Sequence, residues 1–412
     1  MSVCLYFHVH QPYRVKKYRA FEVGRDHSYF NDSSSSDLNN EKIIRKVAEK
    51  SYLPASVVLA ELLRRHPEFK FAFSFSGVVL DQMEQFAPDV LDSFRNLVRS
   101  SRGRVEVLGD TYHHSLSFFY SPREFERQIA LHRRKISKIF GQVPRVLRNT
   151  ELSYNNDLAR WADRSGYLGI LAEGWDPVLG WRSPNYIYRP KGASKIKVLL
   201  KNYRLSDDIA FRFGERSWSE WPLTADKFSS WVSAAHLDGE TINLFMDFET
   251  FGEHQWADTG IFDFLRALPG ELLKDKYNHF LTPSETLRKY QPVGEIDVPN
   301  VLTWADTERD LSAWTGNDIQ RSAIKEIYAL ENRVLRSRDP ELIEDWRRLQ
   351  TSDHFYYMCT KWFADGDVHK YFNPYETPFD AYISFMNALD DLKLRLDNPK
   401  KKRSLNVIFA NK

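Results

Sequence analysis

This sequence predicts an α/β fold built round a parallel, barrel-like sheet, and three observations carry that reading. Short apolar runs alternate with helical periodicity across residues 1–292. Several of these runs stop abruptly at acids, amides or histidines, which is how α/β barrels build active sites at the C-terminal ends of their strands. From about residue 293 the strand-like runs cease and helical patterns follow, so a helical part is expected over 293–412.

Taken in order, a first strand over residues 4–10 delivers His8 and His10, which face the same side because strand side chains alternate. Residues 13–50 read as a long irregular segment with Ser33 to Ser36 inside it, as a lid or binding loop would be. A helix opens at Pro54. A strand over 69–76 alternates Phe71, Phe73 and Phe75 with small partners, and the helix expected over 81–99 should break at Pro88. The strand over 104–108 leads into Gly109, Asp110, Tyr112, His113 and His114. An amphipathic helix over 122–139 closes at Gly141, where a positive φ is expected.

The strand over 144–148 runs into Asn149-Thr150-Glu151, and Asn155 or Asn156 caps the helix that follows. A strand over 168–172 ends in Glu173-Gly174-Trp175-Asp176. Further strands lie near Tyr186 and over 195–200, and a helix spans 224–236. The apolar run 242–246 then ends in Asp247, Glu249, Glu253, His254 and Trp256, with Gly252 letting the chain turn. Residues 291–299 have linker composition, and helices are expected over 318–337, 341–349, 352–363 and 378–396.

Composition excludes several function classes. With 58 basic against 56 acidic residues the net charge is +2, so no global field recruits nucleic acid or a membrane. The run Lys400 to Arg403 reads as a solvated tail. Cys4 and Cys359 are too few and too far apart for a disulfide framework or a metal motif, which suits free thiols in a reducing compartment. The amino-terminal segment is too short and polar for a signal or membrane helix, so a cytoplasmic protein is expected. Aromatic residues make up 14% of the chain and many lie in polar stretches; flat faces of that kind suit sugar rings or a protein interface. Oligomeric state is left open.

Strand-end acids in such a domain permit glycoside hydrolysis, which needs two carboxyl groups flanking the scissile bond, about 5 Å apart for retention and wider for inversion. Glu151 and Asp247 are natural candidates. Glu106, Asp110, Glu173, Asp176 and Glu249 are acids of the same kind, and spacing alone does not choose the pair.

Five separated segments resemble those of glycoside hydrolase family 57, in its α-amylase-like branch. They are His8-Val9-His10-Gln11-Pro12, the stretch from Gly103 to Asp110 with Tyr112, Asn149-Thr150-Glu151-Leu152, the stretch from Met246 to Gly252, and Ser352-Asp353-His354-Phe355-Tyr356. The resemblance implies an incomplete (β/α)7 TIM-like barrel over 1–292, with a helical domain over 293–412 that contributes to the substrate cleft. It implies a retaining mechanism on α-1,4-glucans or maltooligosaccharides, without a cofactor or metal. Glu151 would be the nucleophile and Asp247 the general acid/base. His8, His10, His113, Trp175, Glu249, Trp256 and Asp353 would bind substrate. Two departures are visible: His113 follows Tyr112 where the family often has an acid, and His354 stands where tryptophan is common.

Alternatives remain at this stage. The same residues would serve a 4-α-glucanotransferase or a branching enzyme, because hydrolysis and transfer share the covalent intermediate. A metal-dependent hydrolase using His8, His10, Asp110, His114 and Asp247, or a non-catalytic glucan-binding protein, would have a different chemistry on the same strand ends.

Overall fold

The computed structural model describes residues 1–30, 32–361 and 368–398. The helix expected over 352–363 stops at Tyr356, with 357–361 in turn and irregular backbone, and only its positions 362–363 and the basic run Lys400 to Arg403 lie outside the described residues. The chain forms two compact units, one made of Met1–Gln11, Ile44–Tyr112 and Phe125–Leu311, the other of Pro12–Ile43, His113–Glu124 and Ser312–Lys412. Position 292 falls inside the first unit. Tyr154 and Leu302 exchange backbone hydrogen bonds of 2.8 and 2.9 Å, and the Asn156 N–H donates to Val298 O at 2.9 Å, so the linker-like stretch is tied to the first unit.

Among the described residues the strands all lie in the first unit: β1 (Ser2–Val9), β2 (Phe71–Phe75), β3 (Val105–Val107), β4 (Val146–Leu147), β5 (Gly169–Glu173), β6 (Tyr188–Pro190), β7 (Lys197–Lys201), β8 (Thr241–Asp247), β9 (His279–Phe280) and β10 (Gly294–Ile296). One sheet runs β3-β2-β1-β8 with β9 also paired to β1, and the other runs β10-β6-β7-β5-β4. Every pairing is parallel except β6 with β7. Hydrogen bonds also link the two sheets. Gly109 N–H donates to Val146 O at 2.9 Å and Arg148 N–H to Gly109 O at 2.8 Å, joining the end of β3 to β4. Near β7 and β8, Asn243 Nδ2 donates to Leu200 O at 2.8 Å and Asn202 N–H donates to Asn243 O at 2.9 Å.

These links explain a polar residue in an otherwise apolar run. Asn243 is fully buried, and its side chain bonds to the backbone of the neighbouring strand instead of to water. Between the sheets, Cys4, Tyr6, Ala72, Leu108, Val146, Leu171, Leu199 and Phe245 form a single core cluster. Buried phenylalanines on the opposite face of β1 and β2 pack against helices, among them Phe73 edge-on to Phe94 at 5.4 Å. The mixed α/β class and the parallel sheets agree with the sequence reading.

The helices follow their local signals. Pro88 separates Gly77–Phe86 from Pro88–Ser100, and the Asn155 side chain caps Asn156–Arg164 by accepting from Leu158 N. The supposedly irregular stretch 13–50 instead contains a helix, Asn40–Val47, whose Ile44 and Val47 are buried; the serine run before it hid that short amphipathic pattern. Helices Tyr203–Ala210, Ile261–Leu273 and Pro283–Lys289 were likewise not expected.

The second unit is helical in its later part, with Asp318–Ala329, Glu331–Ser337, Pro340–Arg348 and Pro378–Asp397 as its longer elements. Its earlier segment is held by fully buried Asp391, which accepts from Gly24 N at 2.6 Å and Tyr29 Oη at 2.5 Å and pairs with His27 Nδ1 at 2.8 Å. Among the described residues no helix is long and apolar enough to cross a membrane.

Gly252 takes φ +112°, and a Cβ built there would lie 1.9 Å from Lys50 O. Gly103 also has positive φ, +89°, but nothing lies within 4 Å of its Cβ position. Gly103→Ala should therefore cost about 1 kcal/mol and Gly252→Ala about 3 kcal/mol or more. Denaturant midpoints compare the two directly, and equal losses would contradict the close approach at Gly252.

Candidate active site

The register of the first sheet brings three polar side chains to one level: His8 of β1 stands opposite Ser74 of β2 and Asp247 of β8. Because β1 side chains alternate, His10 follows His8 on the same side, and their rings stack with centroids 5.9 Å apart. Each ring has one nitrogen engaged by a serine: His8 Nδ1 with Ser74 Oγ at 2.7 Å and His10 Nδ1 with Ser76 Oγ at 2.7 Å. Tyr6, one step deeper, meets the same Ser74 hydroxyl at 2.6 Å. Just past Asp247, the Glu249 carboxylate accepts from Tyr52 Oη and from His10 N–H.

The end of β4 is built with more strain. Glu151 has φ 58° and ψ 28°, and Leu152 follows with φ 52°. Two successive non-glycine residues in the left-handed region are rare, and such outliers cluster at functional sites. The turn is held from both sides: Asn149 Nδ2 donates to Ser153 Oγ at 2.8 Å, and the Thr111 and Thr150 hydroxyls bond at 2.5 Å. Trp304 holds Glu151 itself. Its indole Nε1–H donates to Glu151 Oε2 at 3.0 Å and its backbone N–H to Glu151 O at 3.3 Å.

Two cations lie over the Trp304 ring, the Arg148 guanidinium 4.9 Å from its centroid and the Lys201 ammonium at 5.7 Å. Arg148 is fully buried and reaches Asp110 Oδ2 at 3.5 Å; that oxygen is also 3.8 Å from His8 Nδ1. Lys201 pairs with Asp207 at 2.8 Å, and Arg309 lies 3.3 Å from Glu173 and 3.4 Å from Asp207.

The electrostatics follow from this crowding. Burial pushes the Asp110 carboxyl up to about 7 against the pull of Arg148. Burial also raises Asp247; Arg148, His10 and Lys201 pull it down while the Glu151 charge pushes it up. Glu249 is raised by burial and by Asp247. One group able to hold a proton near neutrality therefore stands within electrostatic reach of a second carboxyl, the arrangement that acid/base chemistry on a leaving oxygen requires.

The structure separates the acids that spacing could not rank. Glu106 accepts from Ser284 N at 2.8 Å and from Ser284 Oγ, and Asp176 accepts from Tyr203 Oη at 2.9 Å and Arg204 Nη2 at 2.6 Å. Glu173 is buried beside Lys201 and Arg309. Trp175 is half-buried, while Trp256 is 60% exposed with Lys50 over its ring at 5.5 Å. His113 and Asp353 belong to the second unit. There His113 Nε2 is 3.4 Å from Glu344 Oε1, and Asp353 sits in the short helix Ser352–Tyr356. The sequence reading passed over Arg148, Trp304, Tyr52 and Lys201 as site residues. A charged residue ending an apolar strand was the available signal for Arg148 and Lys201; Trp304 follows a stretch of linker composition and gave none.

Comparison with known proteins gives the family. The model of glycosyl hydrolase family 57 matches residues 4–299. A Methanocaldococcus jannaschii protein named "Putative alpha-amylase" is 42% identical over 405 residues, 95% of this chain and 84% of that protein. The Pyrococcus abyssi "Alpha-amylase" is 24% identical over 276 residues, and the match spans 66% of this chain and 40% of that longer protein. In fold, the chain is similar to the family 57 branching enzyme of Pyrococcus horikoshii, with a TM-score of 0.67, 16% identity and coverage of 97% of this chain and 91% of that one. It is also similar to the 4-α-glucanotransferase of Thermococcus litoralis, with a TM-score of 0.61, 18% identity and coverage of 86% and 56%. With the family model matching well over half of its length and a relative at 42% identity along nearly all of it, this chain belongs to glycosyl hydrolase family 57 and is a glycoside hydrolase.

Proposed function

We propose that this enzyme cleaves α-1,4-glucosidic bonds of α-glucans or maltooligosaccharides by a retaining mechanism, with Glu151 as nucleophile and Asp247 as general acid/base. The observation that carries the reading is the pairing of unlike carboxyl groups at two strand ends of one unit. Glu151 is held in a strained turn by the Trp304 indole, and Asp247 is raised by burial and by the Glu151 charge. The substrate class rests on what the names of the relatives state of those proteins. As fold, we propose an incomplete (β/α)7 barrel, supported by the hydrogen bonds that link the two sheets at Gly109 and Asn243.

In the first step the Glu151 carboxylate attacks the anomeric carbon while Asp247 gives its proton to the departing glycosidic oxygen, leaving a glucosyl ester. In the second, the Asp247 carboxylate takes a proton from water as the water oxygen bonds to the anomeric carbon and the ester bond to Glu151 breaks, which releases the sugar and restores both groups. His8, His10, Glu249, Trp175 and Trp256 are the proposed sugar contacts of the first unit, and the family resemblance gives the same role to His113 and Asp353. A sugar hydroxyl in place of water would make the same intermediate serve a glucanotransferase. Neither a cofactor nor a metal enters these steps.

Glu151→Gln and Asp247→Asn should each lower kcat on maltoheptaose by about 10³-fold or more. Near wild-type turnover in either variant would overturn the assignment. Chromatography of maltoheptaose products separates the two outcomes of the intermediate: shorter products alone mean hydrolysis, and chains longer than the substrate mean transfer. The raised Asp247 carboxyl also makes a stability prediction. The folded state binds this proton more tightly than the unfolded chain, so ionisation costs stability as pH rises through the interval between the ordinary carboxylate range and the raised folded value. Asp247→Asn should therefore raise Tm by about 2 °C or more at pH 8 and by clearly less at pH 4, where the folded group is protonated and the unfolded one is about half ionised. Equal shifts at the two pH values would contradict the raised carboxyl.

A further inference from the structure

Arginine side chains that brace a protein backbone spend their donors on it, and this chain contains an example. Arg104 gives Nη1 to Leu63 O at 2.8 Å and His66 O at 3.1 Å, and Nε to Ser101 O at 3.1 Å. Arg148 differs. It is fully buried, yet among the described residues its hydrogen bonding is a single long contact of 3.5 Å from Nη1 to Asp110 Oδ2, and Nε and Nη2 have no hydrogen-bond partner. A guanidinium normally forms two parallel bonds to a carboxylate, and that pairing would tie its charge to one acid. Here the charge is left unassigned, three residues before Glu151 on the same strand end and over the ring whose indole N–H holds the Glu151 carboxylate.

We propose that Arg148 is a positioning residue whose single shared charge, lying among Asp110, Glu151 and Asp247, sets which of these carboxyl groups keeps its proton. The inference rests on the roles given to Glu151 and Asp247 above. A cation not committed to one acid stabilises the ionised form of each more strongly the closer that acid lies, so in this proposal it keeps the nucleophile ionised while leaving the other acid able to hold a proton. The carboxyl groups whose charges reach Arg148 are Asp110, Glu151 and Asp247, with the Tyr6 phenol, which burial keeps neutral, beside them. Those reaching Asp247 are Arg148, Glu151, His10 and Lys201, with Glu249 beside it. His8 faces the cluster through Asp110. Of the two cations over the Trp304 ring, Lys201 is held by Asp207 at 2.8 Å, whereas Arg148 has only the longer 3.5 Å approach to Asp110 among the described residues.

The test is the pH profile of kcat/KM on maltoheptaose for Arg148→Met, Arg148→Gln and Arg148→Lys, each checked for folding by circular dichroism. Loss of the cation makes every neighbouring carboxyl harder to ionise. In the neutral variants both limbs of the bell, the acid limb from Glu151 and the alkaline limb from Asp247, should move to higher pH by at least one unit. Activity on the acid limb should fall tenfold or more, and Arg148→Lys should keep both limbs within about 0.3 unit of wild type. A folded neutral variant with unmoved limbs overturns the proposal, whatever its kcat. Should neither neutral variant fold, the lysine variant decides: limbs kept support the charge role, and limbs displaced by a unit or more overturn it. Failure of the underlying reading looks different, because Glu151→Gln or Asp247→Asn would then remain active whatever the Arg148 variants do.

Discussion

Carboxyl groups crowded at the ends of parallel strands, with only limited access to water, are the constraint on which the first unit depends. Burial alone would protonate all of them, and uncompensated ionisation would destabilise the fold. The solution is to treat each acid differently. Glu173 is met by Lys201 and Arg309, Glu106 by the Ser284 N–H and hydroxyl, and Asp176 by Tyr203 and Arg204. Burial raises the carboxyls of Asp110, Asp247 and Glu249, as it does those of Glu106 and Glu173, and Glu151 is oriented by an indole. Glu106, Glu173 and Asp176 each have close neutral or cationic partners and serve structure; acids without such partners can do chemistry.

The backbone supports the same division. Glu151 and Leu152 occupy left-handed conformations that side chains disfavour, and hydrogen bonds from Asn149 and Thr150 hold the turn in place. Trp304 reaches that turn because the stretch after β10 pairs with Tyr154 through backbone hydrogen bonds, so a segment remote in sequence completes the β4 end. Its ring then carries Arg148 and Lys201 above it, which couples the end of β4 to the end of β7. The orientation of Glu151, the proposed nucleophile, is thus served by Trp304 and its neighbours.

Much of this was legible in the sequence. The strands that end in Asp247, Glu173 and Glu151 stop where the apolar runs stop, and Pro88, Asn155 and Gly141 mark helix boundaries as their chemistry requires. What escaped depends on contacts between distant residues. Nothing local shows that Glu106 answers to Ser284, that Trp304 donates to Glu151, or that Asn243 ties β8 to the neighbouring strand. The helix Asn40–Val47 was hidden by a different cause, since a short amphipathic pattern next to a serine run carries little periodic signal. The membership of residues 12–43 and 113–124 in the second unit is likewise a property of packing, which sequence order does not encode.

The central claim is that Glu151 forms a bond to the sugar. Mass spectrometry of the peptide containing Glu151, after incubation with a 5-fluoro-glucosyl fluoride that forms the ester quickly and releases it slowly, measures this directly. The account predicts a mass increase of one fluoroglucosyl group on Glu151, with loss of the label in Glu151→Gln. An active enzyme that accumulates no adduct, or carries it on another residue, would contradict the assignment.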